Sequence, residues 1–230
     1  MARFPLGVLV LLVLMIVVYL GLAHRLLDRL RLTDKGALLV LGALLIGSFV
    51  DIPISKGLIK ITLNIGGALV PIALAIYLLL KAGTRKEWVR ALVATLITAA
   101  VVFFLGSIIM QGDPSDRFTM IDPLYIYPIV GGLTAYLLGR SRRAAFIAAT
   151  LGVLSQDIIH FFWLWGQGIA GNVHLGGGGM FDSIVLAGLI AILLAELIGE
   201  SRERLQGGPV SEGRDPDLLR HLKSDQGGEE

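Results

Sequence analysis

Two aspartates carry the chemical content of this sequence. Asp157 lies within an apolar stretch, residues 144–165, and Asp182 opens another after the run Gly176, Gly177, Gly178, Gly179, Met180 and Phe181. An ionisable side chain is costly inside a bilayer, so one found there marks a functional site by default. Two carboxylates sharing a poorly solvated site do not both ionise easily. One then serves as general base towards a water while the other, protonated, polarises a carbonyl as general acid. That chemistry is peptide-bond hydrolysis by an aspartyl pair with no cofactor, and it is the leading reading. The same acids suit proton relay or cation coordination in a small-ion or proton-coupled transporter or channel, which is the alternative. A third chemistry is a divalent metal site. Asp157 and His160 are three residues apart on one helical face, and His174 with Asp182 would complete a set of nitrogen and oxygen ligands for zinc, manganese or iron. No HExxH pair accompanies them.

Further polar residues share the depth of the two acids. A helix rises about 1.5 Å per residue, so counting from the nearest cytoplasmic end puts Asp157, Asp182, Asp51, Asn64 and His160 about 21–26 Å in. This is a polar layer in the outer half of a bilayer, with Asn64 placed to orient the acids. The four glycines before Asp182 can adopt backbone angles closed to other residues and let the chain turn tightly on its approach. Such irregular backbone is tolerated at membrane depth only where protein or a water-filled cavity covers it.

The elements that must position these residues are helices. Apolar residues make up 55% of 230 and charged residues 17%, and the charges fall in clumps. A hydrocarbon core of about 30 Å needs roughly 20 apolar residues. Residues 6–23, 36–50, 64–80, 91–110, 124–139, 144–165 and 181–198 meet or approach that length. The expectation is an all-α, polytopic bundle of about seven transmembrane helices over residues 1–200, with a disordered cytoplasmic tail over 201–230. The first apolar run exceeds the usual signal-peptide core and is expected to be retained. Sixteen of the 20 Lys and Arg fall in the odd-numbered loops and the tail, and only Arg3, Lys56, Lys60 and Arg117 fall elsewhere. By the positive-inside rule the N-terminus is outside and the C-terminus cytoplasmic.

The same composition excludes other classes. No stretch interleaves basic and aromatic residues as nucleic-acid recognition requires. With no cysteine, disulfides, thiolate catalysis and Cys-ligated metals are absent, and a multi-pass protein of a prokaryotic cytoplasmic membrane is expected. Its partners would be the lipid bilayer and either a membrane-spanning peptide or a small cation.

Smaller features complete the pattern. Ile59, Ile61 and Leu63 alternate with Lys60, Thr62 and Asn64, the period-two signature of a short strand or of an extended loop lying on the headgroups. Asp51, before Ile52 and Pro53, reads most simply as the end of its helix. Asp113, Asp116 and Asp122 fall in a Pro/Gly-containing external loop. Glu196 and Glu200 are expected to pair with Arg202 or Arg204. A faint repeat relates 71–96 to 128–151, as in some transporters.

Asp157 within a helix, followed by Asp182 after Gly178, Gly179, Met180 and Phe181, resembles the presenilin, signal-peptide-peptidase and prepilin-peptidase group, where a GxGD motif opens the second helix. Here two residues separate the glycines from the acid. A broader resemblance covers nearly everything except the first helix and the tail. The stretches 46–53, 64–71, 127–136 and 176–182 are similar to domain-of-unknown-function family 1614, an uncharacterised prokaryotic membrane family. That resemblance implies membership and no particular activity.

Overall fold

The computed structural model describes residues 32–110 and 123–205. The helix expected over 6–23, the external loop with Asp113, Asp116 and Asp122, and the tail beyond Leu205 lie outside the described residues. By internal contacts the chain divides into Met1–Glu196 and Leu197–Glu230. The first unit holds every element discussed below except the last turns of the final helix. In the second unit those turns continue to Leu205, past the expected boundary at residue 200, and Ser201 Oγ donates to Leu197 O at 2.7 Å.

Among the described residues there are six α-helices: α1 (Asp34–Gly47), α2 (Val70–Leu80), α3 (Arg85–Met110), α4 (Pro123–Gly139), α5 (Arg142–Gln167) and α6 (Ser183–Leu205). The fold is mostly helical, but not all-α. Three strands, β1 (Asp51–Lys56), β2 (Ile59–Asn64) and β3 (Gly171–Leu175), form one sheet in the order β1-β2-β3. β1 and β2 are an antiparallel hairpin, and β3 joins β2 in parallel. The alternation at 59–64 is therefore a strand and not a loose loop. Ile52, Ile54, Ile59, Ile61 and Thr62 are β-branched and favour extended backbone. Pro53 has no N–H to donate and is accommodated because β1 is an edge strand.

α5 is the central helix, packing against α2, α3 and α4. Ser141 caps its start by accepting from Ala144 N, and Gly168 ends it in the left-handed conformation at φ 64°. Its first half is buried from Ala144 through Thr150, and small residues make that possible. A Cβ on Gly152 would lie 2.7 Å from Thr98 Cγ2 of α3, and one on Gly131 of α4 would lie 2.7 Å from Val153 Cγ2. Small residues at these positions let the helix backbones approach closely. α6 packs on α4 and α5: a Cβ on Gly132 would lie 2.8 Å from Ile190 Cγ2, and one on Gly188 would lie 2.7 Å from Phe146.

The turns carrying the basic clusters are tied together. Thr84 Oγ1 accepts from Glu87 N, an N-cap at the start of α3, and Glu87 Oε2 accepts from Gly83 N, both at 3.2 Å. Arg143 then pairs with Glu87 at 3.3 Å. Glu196 pairs with the buried Arg142, because the start of α5 lies against it. The side chains of Glu200, Arg202 and Arg204 are outside the described residues.

Candidate functional site

The connections α1–α2 and α5–α6 build the site. α1 stops at Gly47, and Ser48 Oγ bonds back to Leu44 O. The chain then forms the hairpin and re-enters helix through one π-helical turn, Ile65–Leu69, in which the Val70 N–H reaches Ile65 O. Pro71, which has no N–H, follows. Wide turns of this kind are frequent at functional sites.

Asn64 holds this corner. It is 2% exposed, its Oδ1 accepts from Gly67 N at 2.8 Å, and its Nδ2 donates to Ser48 O at 3.0 Å and to Asp51 Oδ1 at 2.9 Å. Asp51 thus opens β1 and Asn64 closes β2, paired in register. Neither sits inside a helix, as counting from the basic clusters implied. α1 is shorter than its apolar stretch, because the extended hairpin takes over at Asp51.

The glycine run is seated on that corner by backbone contact. Gly176 and Gly179 have φ of 68° and 62°, a conformation that disfavours any residue with a Cβ. A Cβ on Gly67 would fall onto Gly176 O and lie 2.7 Å from Gly179 O, and one on Gly179 would lie 2.8 Å from Ser48 Cβ. A 3₁₀ turn, Gly179–Phe181, then delivers Asp182 to the head of α6. Asp182 Oδ1 accepts from Ile184 N and Oδ2 from Gly178 N, both at 3.0 Å. The first bond is a helix N-cap, and the second clamps the glycine turn.

Asp157 faces this turn from α5. Its carboxylate accepts from the Gly176 amide and interacts electrostatically with Asp182. The structure therefore brings Asp157, Asp182, Gly176 and Gly178 together, with Asn64 one backbone layer behind, holding Gly67 against the turn. Gly177 and Gly179 shape the turn, and Gly177 N donates to His174 O at 3.4 Å.

The histidines do not join. His160 is exposed and stacks on Trp163 at a centroid distance of 6.4 Å, while His174 Nδ1 and Thr62 Oγ1 share a hydrogen bond of 2.6 Å across β2 and β3. Among the described residues no three His, Cys, Asp or Glu side chains converge as metal ligands. The set Asp157, His160, His174 and Asp182 is therefore split. His160 turns outward onto Trp163, and the strand holds His174 against Thr62.

A model of the family described as protein of unknown function (DUF1614) matches residues 32–194. The chain belongs to that family. No curated protein and no solved structure matches it, so the resemblance to presenilin-type proteases finds no support there. The DUF1614 match contains the whole site, from Asp51 to Asp182.

Sequence reasoning missed β1, β3 and the seating of the glycines on Gly67. Alternation in 59–64 was the one local signal of a sheet. The short run Asn172, Val173, His174 carried too little pattern to identify its partner strand.

Proposed function

We propose that this DUF1614 protein is a multi-pass membrane hydrolase whose acid–base pair is Asp157 and Asp182. The observation that carries the reading is that both carboxylates approach one backbone-tight glycine turn, Asp157 at the Gly176 amide and Asp182 at the Gly178 amide. In the reaction, one carboxylate takes a proton from water as its oxygen attacks the peptide carbonyl carbon. The other, protonated, gives its proton to the carbonyl oxygen. Collapse of the resulting diol returns that proton and delivers the first to the leaving amine, which regenerates the pair.

Membrane placement rests on composition and exposure. Arg85–Ser107 and Arg142–Gln167 are each long and apolar enough to cross a bilayer, and 35–47, 65–80, 126–139 and 183–199 are shorter apolar helices. Large apolar side chains lie bare on several of them, including Leu39, Leu80, Leu96 and Phe104 at 72%, 78%, 70% and 67% exposure. Exposure of that extent marks contact with lipid or protein. The basic turns α2–α3 and α4–α5 alternate along the chain with the sheet and glycine connections. With the segment at 6–23 this makes seven spans, with the N-terminus outside and the C-terminus cytoplasmic.

The test is cleavage of a membrane-spanning peptide by the protein in liposomes. Wild type should cleave, and Asp157→Asn and Asp182→Asn should both be inactive. One observation favours transport instead: both Asp182 oxygens already accept backbone amides, which suits a fixed carboxylate visited by a small cation. Ion flux that is lost in the same variants, with no cleavage of any peptide, would select that reading.

A further inference from the structure

The hairpin has a feature that neither hydrolysis nor transport uses. Its register runs Asp51↔Asn64, Ile52↔Leu63, Pro53↔Thr62, then shifts by one residue to Ser55↔Ile61 and Lys56↔Lys60. Ile54 is the extra residue, a bulge. A bulge turns every following side chain to the opposite face. Without it, Lys56 would oppose Ile59, which is buried against Leu164 and Val173. With it, Lys56 stands directly across from Lys60, and Lys60 is itself in register with Asn172 of β3. The next row of the same face holds the Thr62–His174 pair.

Like charges placed directly opposite each other on a sheet repel. Both lysines are exposed, and neither has an acidic partner among the described residues. The nearest strand carboxylate, Asp51, is at the far end of β1 and bonded to Asn64. A bulge that brings two ammonium groups together makes physical sense if an anion bridges them.

The surroundings say which anion. Ile54 and Leu58, flanking Lys56 in the hairpin, are 56% and 63% exposed. The sheet's other face packs on the end of α5 through Ile59, Val173, Leu164 and Phe161, next to the exposed Phe162, Trp163 and Trp165. Bare aromatics at a helix end mark the headgroup level of a bilayer. Lysine stems lie along apolar surface while their ammonium groups reach the polar layer. We propose that the polar face of this sheet, centred on Lys56 and Lys60, binds the phosphate of an anionic phospholipid headgroup, whose acyl chains lie along Ile54 and Leu58. This lipid site is separate from the Asp157–Asp182 pair and stands whether that pair hydrolyses or transports.

The experiment is lipid retention by the full chain. The protein, in mild detergent with equal phosphatidylglycerol and phosphatidylcholine, is analysed by native mass spectrometry. A basic residue near an anionic surface contributes about 1 kcal/mol, or roughly fivefold, so the two lysines together should favour phosphatidylglycerol by more than tenfold. The K56Q/K60Q variant should lose that preference and K56R/K60R should keep it. Lys86→Gln, in the first turn of α3, should change nothing. Both lysines are exposed, so retained tryptophan fluorescence will verify the fold of each variant. Equal retention of the two lipids by wild type, or an unchanged preference in K56Q/K60Q, would overturn the proposal. Displacement of the bound lipid by millimolar inorganic phosphate would overturn it too, because the site would then serve a soluble anion.

Discussion

Replacing Asn64 with alanine tests the corner that positions the site. The change removes three hydrogen bonds, to Gly67 N, Ser48 O and Asp51 Oδ1. Leaving a buried polar group without a partner costs about 1–3 kcal/mol. The Gly67 amide is fully buried and carries that cost in full. The Ser48 carbonyl is part-buried and Asp51 is exposed, so both recover some solvation. The sum is a loss of about 3–4 kcal/mol. Reversible SDS unfolding followed by the fluorescence of Trp163 and Trp165 measures it. Asp51→Asn is the matched control: its amide oxygen still accepts from Asn64 Nδ2, so it should cost less than about 1 kcal/mol. An Asn64→Ala loss below 1 kcal/mol, or an Asp51→Asn loss as large as that of Asn64→Ala, would refute the reasoning.

Three further outcomes follow from the same contacts. Gly67→Ala places a Cβ on the Gly176 carbonyl oxygen, where only backbone could yield. It should destabilise by about 2–3 kcal/mol, and peptide cleavage or ion flux should fall with it. Asp182→Asn keeps an acceptor for the Ile184 amide, so unfolding should shift by no more than about 1 kcal/mol while activity is lost; Asp182→Ala should lose the cap as well, about 1 kcal/mol more. Glu196→Gln strands the buried Arg142 guanidinium and should cost about 3 kcal/mol, whereas the double change Arg142→Met with Glu196→Leu should recover most of it. SDS unfolding midpoints of the two proteins measure the difference.

Helices were legible in the sequence because twenty-residue apolar runs have few alternative fates. The observed α4, α5 and α6 begin within two residues of the stretches that suggested them, and α3 begins six residues before its stretch. The α1–α2 connection was not, because apolar Ile and Val read equally well as helix continuing to Val50 or as strand. What decides it is pairing with β3, more than a hundred residues away in sequence. Asp157 and Asp182 stood out by type alone, since a carboxylate in such surroundings has few innocuous roles. Of the other residues counted to the same depth, Asp51 and Asn64 lie on strands and His160 lies on the exposed side of α5. The lysine pair was invisible for a simpler reason: the bulge at Ile54 sets its register, and alternation alone would have put Lys56 on the wrong face.

The central claim is that Asp157 and Asp182 form one site, and cross-linking tests it most directly. The chain has no cysteine, so cysteines at 157 and 182 report only on each other. Membranes holding the double variant are treated with an oxidant or with the shortest bis-methanethiosulfonate, and the joined fragments are identified by proteolysis and mass spectrometry. If the two acids act as a pair, joining should be rapid and intramolecular, and much reduced when Gly67→Ala is added. If both cysteines react with a monofunctional reagent yet never join, the two acids do not share a site and the account fails.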